Sequence, residues 1–143
     1  MSEILDDIAE ARADAEALMI DTCTVEALGA PVVDRTTGKS TVPRTVVYPD
    51  PAWPDTHRWA RGPCKVQAAQ SQESTPEAGG HTSTEQRYRI DFPVGSFKAR
   101  PGMVVTIRTS PADPLQEGTT YKIVAPFGKT LATAQRCYAE QEV

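Results

Sequence analysis

Aromatic residues are scarce in this 143-residue chain, at 6%, against 39% hydrophobic residues in all. A core made from it therefore rests on Val, Ile, Leu and Ala. Histidine occurs only twice, as His57 and His81. The three cysteines, Cys23, Cys64 and Cys137, lie far apart without a CxxC, which excludes zinc-ribbon and redox-pair signatures. No apolar run approaches the ~20 residues that span a bilayer, and the N-terminus lacks the basic-then-apolar order of a secretory leader. The expectation is a soluble protein made in a reducing cytoplasm, without membrane contact.

Catalytic signatures are also missing. Ser71, Ser74, Ser83, Ser96 and Ser110 sit in ordinary polar stretches, none within a GxSxG elbow. Neither Gly79-Gly80 nor Thr37-Gly38-Lys39 belongs to a GxxxxGK[ST] phosphate loop. A metal site from His57, Cys64 and a carboxylate such as Asp55 has no support in spacing, and both histidines fall in stretches predicted to be exposed loops. The acids of the N-terminal segment are explained by a solvated helical face. The sequence thus predicts no enzyme, no cofactor and no metal.

What is present is proline, twelve against nine glycines, a balance that favours short strands and rigid turns over long helices. Charge is unevenly placed. Of nineteen acids, six (Glu3, Asp6, Asp7, Glu10, Asp14, Glu16) lie in the first twenty residues; of fifteen bases, only Arg12 does. That leaves thirteen acids and fourteen bases for the rest, so no broad basic surface is evident.

Residues 3–19 read as an amphipathic helix, with Ile4, Leu5, Ile8, Ala11, Ala15, Leu18 and Met19 on one stripe and Ser2 as N-cap. The chain then turns β-branched over 20–25. Val32 to Val42 reads as a hairpin turning at Thr37-Gly38-Lys39, and 44–48 continues extended. The 49–61 stretch holds three prolines and both tryptophans. Strand character returns at 62–68. Residues 70–84 are polar and predict a long mobile loop. Tyr88, Ile90, Phe92 and Val94 then share one face, with Arg87, Arg89 and Asp91 on the other. Met103, Val105 and Ile107 point inward, Thr106 and Arg108 outward; 121–125 and 130–139 finish the pattern, the last of these leaning to strand. The fold class is mainly β: one domain over 1–143, a small antiparallel barrel or sandwich over 20–143 with an N-terminal helix and a long inter-strand loop.

Three surfaces are candidates for function. The helix, through Ile4, Leu5 and Ile8, either lies on its own domain or docks partly on a neighbouring subunit. Trp53 and Trp59 either anchor an interface or fold back as a lid over the barrel. The 70–84 loop, with Gln72, Glu73, Glu77, Gly79, Gly80 and His81, is long enough to be functional rather than a linker.

Arg87-Tyr88-Arg89-Ile90-Asp91-Phe92-Pro93-Val94, Gly102 to Ile107, Asp113-Pro114-Leu115, Gly118 with Tyr121 to Val124, and Thr130 to Arg136 resemble the head-to-tail stopper proteins of siphophages, particularly those of actinobacterial hosts. Upstream, Val47-Tyr48 and Gly62-Pro63-Cys64-Lys65-Val66-Gln67 resemble that family's Tyr-x-Gly-Pro-Cys-x-Val-Gln strand. The match runs in order over most of the chain. Met103 stands where Gly-Asp is usual, Gln135 occupies an Arg-Arg position, and Pro49 to Arg61 is an insertion. The resemblance implies a six- or twelve-fold ring in the virion neck, assembled in the host cytoplasm beneath the portal. Its partners would be portal or adaptor proteins and tail terminator or tail tube proteins. Double-stranded DNA would pass through the lumen, with residues 70–84 reaching toward that channel. An adaptor, a tail terminator, or a small nucleic-acid- or ligand-binding barrel are the alternatives.

Overall fold

The computed structural model describes residues 2–68, 72–74, 83–85 and 87–142. One helix, α1 (Ser2–Ala17), precedes β1 (Asp21–Leu28), β2 (Val32–Val33), β3 (Ser40–Thr41), β4 (Arg44–Tyr48) and β5 (Pro63–Ala68). There follow β6 (Gln72–Ser74), β7 (Ser83–Glu85), β8 (Tyr88–Phe92), β9 (Val104–Thr109), β10 (Thr120–Pro126) and β11 (Gln135–Glu142).

Six strands close into an antiparallel barrel in the order β1-β5-β8-β11-β10-β9, with β1–β9 pairing sealing the ring. The edge of β1 that meets β5 at Asp21 and Thr22 passes to β4 from Val25 onward. One strand edge thus serves two partners, and closure leaves few unpaired backbone groups. Irregularities at Thr22/Cys23, Val25/Glu26 and Ile123/Ala125 give the local bends that curving a short sheet requires.

The two-residue period places alternate side chains inside. Cys23 and Val25, Cys64, Ile90 and Phe92, Val105 and Ile107, Tyr121 and Ile123, and Cys137 and Ala139 fill the interior. Where β5 starts and β8 finishes, rings complete the core. Tyr48 stacks on Phe97 at 5.1 Å, and Phe92 meets both edge-on at 5.6 and 4.9 Å. Tyr48, Trp53, Trp59, Phe92 and Phe97 gather at this end of the barrel.

Several sequence expectations need correction. The helix runs from Ser2 to Ala17 rather than over 3–19, so Ser2 opens the helix instead of preceding it, and Leu18 is exposed beyond its end. The 70–84 stretch carries β6 and β7, paired at Gln72↔Glu85 and Ser74↔Ser83. Polar composition does not forbid a ladder whose bonds are all backbone. Asp91 lies on the face of β8 opposite Ile90 and Phe92, as expected, yet it is buried, with Arg89 Nε 3.2 Å from its Oδ1. Val94 lies beyond the end of β8. The last strand starts at Gln135, so 130–134 belongs to a loop. The Thr37-Gly38-Lys39 turn stands as read, with Gly38 at φ 71 between β2 and β3.

Candidate functional site

The first candidate surface is α1. Its barrel-facing stripe (Ile8, Ala11, Arg12, Ala15, Glu16) is half-buried, and Met19 beyond it is fully so. Two polar contacts fix this root. Arg12 Nε donates to the carbonyl of Ala132 at 2.9 Å, and Glu16 Oε1 accepts from the Trp59 indole Nε1 at 2.7 Å. Ile4 and Leu5 continue the stripe past the barrel, where they stay 53% and 60% exposed. The apolar face is longer than the surface that supports it.

The second is the Trp53–Trp59 loop, which is a lid. Trp59 is only 7% exposed, so it is not an open interface anchor. Arg58 lies 4.1 Å over its ring on the outer side. Trp53, half-buried, stacks in parallel on His57 at 4.1 Å and meets Tyr48 edge-on. His57 is therefore half-buried rather than exposed, and its Nδ1 accepts the Trp59 backbone N–H at 3.1 Å. These contacts take up the ring's Nδ1 and one of its faces. With Trp59 buried and one face of Trp53 stacked on His57, these rings leave little free face for base stacking.

Gly62 holds the lid to the barrel. It sits at φ 74, donates to Trp59 O and accepts from Cys23 N, both at 2.9 Å. Beneath the lid the Tyr48 hydroxyl donates to Pro63 O at 2.6 Å, and burial pushes that phenol well above its ordinary range.

The third surface is the β5–β8 connection. Gln72 and Glu73 lie on β6; Glu77, Gly79, Gly80 and His81 lie outside the described residues. The connection leaves Ala68 and returns at Tyr88, so it emerges from the opposite end of the β5–β8 ladder to α1's root.

A fourth feature escaped the sequence reading. On the outer face of β8 and β11, the loop after β10 roofs a groove of about 440 Å³. Phe127, Leu131 and Tyr138 give it apolar surface; Arg89, Lys129 and Arg136 give it positive charge. Phe127 and Tyr138 pack edge-on at 4.8 Å, and Arg89 Nη2 also donates to Gln67 Oε1 at 2.9 Å. Leu131 holds φ 60, a left-handed conformation disfavoured for a side chain of its size. These residues are spread over fifty positions, and only pairing of Arg89 with Tyr138 across the ladder brings them together. Among the described residues there is no group of three or more His, Cys, Asp or Glu side chains placed to hold a metal ion. No helix among them is long and apolar enough to cross a membrane.

These features define a small closed antiparallel β-barrel with a projecting N-terminal helix and a lidded aromatic cluster. Residues 11–140 match the model of a family of unknown function, DUF6093, and the chain belongs to that family. No curated protein and no solved structure matches it.

Proposed function

We propose that this chain is a structural subunit of a tailed-phage neck, a stopper that forms a ring below the portal, closes the filled head and seats the tail. The observation that carries this reading is that two segments outside the barrel strands, α1 and the β5–β8 connection, join it at opposite ends of one ladder. The α1 overhang leaves near the start of β5, and the β5–β8 connection leaves near its end. A ring of identical subunits needs a heterologous contact between neighbours and a segment aimed at the lumen, and a barrel with segments joined at both ends of one ladder suits both needs. Many of the motif residues that resemble stoppers fall on barrel strands or on β4 beside them: Tyr48 on β4, Cys64 to Gln67 on β5, Tyr88 to Phe92 on β8, Val104 to Ile107 on β9 and Tyr121 to Val124 on β10.

In this role portal or adaptor proteins lie on one side of the ring, tail terminator or tube proteins on the other, and DNA in the lumen. A near-neutral barrel suits a channel that must later release DNA, since dense phosphate contacts would oppose ejection. The test is negative-stain imaging of the purified protein mixed with portal complexes. Added density below the portal is expected; failure to bind any portal or tail component overturns the proposal. An adaptor or terminator in the same neck would place the density elsewhere.

A further inference from the structure

The groove on β8 and β11 and the free end of α1 have complementary chemistry. The overhanging part of α1 carries Glu3, Asp6 and Asp7 with no base, around the exposed Ile4 and Leu5. The groove offers Arg89, Lys129 and Arg136 around Phe127, Leu131 and Tyr138. Asp91, buried beside Arg89, offsets one of the three charges, which leaves a net positive lip. Phe127 and Leu131 remain 49% and 47% exposed, so the groove, like the helix, presents large apolar side chains to solvent.

The helix does not fill the groove of its own chain: its root is bonded to Ala132 on the groove's rim, yet Ile4, Leu5, Phe127 and Leu131 all stay exposed. Its root is pinned by Arg12 to Ala132 and by Glu16 to Trp59, and Ser2 to Asp7 continue the same straight helix away from those points. Six residues at 1.5 Å each carry its tip about 9 Å further out. An acidic apolar knob and a basic apolar groove that both stay exposed on one molecule suit a head-to-tail contact between copies.

We infer that the α1 overhang of one protomer docks into the β8–β11 groove of the next copy, Ile4 and Leu5 against Phe127, Leu131 and Tyr138, with Asp6 and Asp7 facing Lys129 and Arg136. The inference deepens the ring reading by naming the self-contact, and it is tested without any portal. If self-docking holds and portal binding fails, only the neck assignment falls; if portal binding holds and self-docking fails, only the contact falls.

The experiment is sedimentation velocity on the full chain up to about 1 mM, where contacts as weak as ~4 kcal/mol register. Two variants are compared: Ile4→Asp with Leu5→Asp, which spoils the knob, and Lys129→Glu with Arg136→Glu, which spoils the groove. Wild type is expected to self-associate and each variant to lose about tenfold or more in affinity. An equimolar mixture keeps one intact knob and one intact groove, so it should form a 1:1 dimer that grows no further. A monomeric wild type, or variants that assemble like wild type, overturns the proposal. So does a groove variant that loses double-stranded DNA binding while its self-association is unchanged, since the face would then belong to nucleic acid. Should a variant misfold, a photo-crosslinker at position 5 of the otherwise native chain decides: adducts to 127–138 of another copy support the contact, and adducts elsewhere or none refute it.

Discussion

Trp59 and Glu16, 43 residues apart, are joined by a 2.7 Å hydrogen bond from the indole Nε1 to Oε1. The bond ties the last turn of α1 to the lid, so the projecting helix and the aromatic cluster are one mechanical unit. Whatever pulls on the helix is felt at the barrel end.

Removing the acceptor tests that coupling. Glu16→Ala leaves a mostly buried indole N–H without its charged partner, which is expected to cost about 1.5–3 kcal/mol, less a few tenths for the better helix former. Glu16→Gln keeps an acceptor and should lose about half as much. Urea unfolding followed by tryptophan fluorescence measures both. Equal stability of Glu16→Ala and wild type would mean that the helix root is held by packing alone.

Gly62 is the second point at which the lid can be broken. A Cβ there would run into the carbonyl oxygen of Cys23, and φ 74 is a region that side chains resist. Gly62→Ala should cost about 3 kcal/mol or more, the left-handed strain of ~1–2 kcal/mol plus displacement of β1. Gly38, at φ 71 with open space around it, is the control. Gly38→Ala should cost only the backbone part, about 1–2 kcal/mol. Chemical denaturation of the pair separates strain from collision, and equal losses would show that the collision relaxes away.

The strands of the barrel were legible because alternation is a local signal. Ile90 and Phe92 on β8, and Val105 and Ile107 on β9, announce their buried face within a few residues. The lid was open between two readings, since a Pro-rich loop with two tryptophans does not encode where its rings go; Glu16 decides that from outside the loop. The groove was not legible at all. Arg89, Lys129 and Arg136 look like ordinary solvated charges until β8 and β11 pair. The β6–β7 ladder also escaped, because it is backbone-bonded and carries no apolar pattern to read.

The three thiols should be silent in the native protein. Cys23, Cys64 and Cys137 are fully buried and free. Burial, reinforced by Cys64 alongside, pushes Cys23 well above the ordinary thiol range, and burial pushes Cys137 up to about 12. Since the thiolate is the reactive form, modification by Ellman's reagent at neutral pH is expected to wait for unfolding. Its rate should follow global stability in Glu16→Ala and Gly62→Ala. A thiol that reacts rapidly and independently of stability would mean that the barrel opens locally.

Asp21, at the start of β1, gives the fold a pH dependence whose sign can be worked out. Its carboxylate is 8% exposed and Oδ1 accepts from the Ser110 hydroxyl at 2.9 Å. Burial raises its pKa above the ordinary 3.8; the Ser110 hydrogen bond opposes this and the Asp113 charge adds to it. With the folded pKa above the unfolded one, the native state holds the proton more tightly. Stability is therefore lost as pH rises from 3.8 through the folded pKa, and the penalty is constant above it. In Asp21→Asn the amide oxygen still accepts from Ser110, but no charge has to be kept out of water. Its melting temperature at pH 7 should equal or exceed that of wild type, and its decline between pH ~4 and ~7 should be shallower. Melting curves of both proteins across that range measure the difference. A variant less stable than wild type at pH 7 by more than about 1 kcal/mol would show that the ionised carboxylate stabilises the fold, and the desolvation argument would fail.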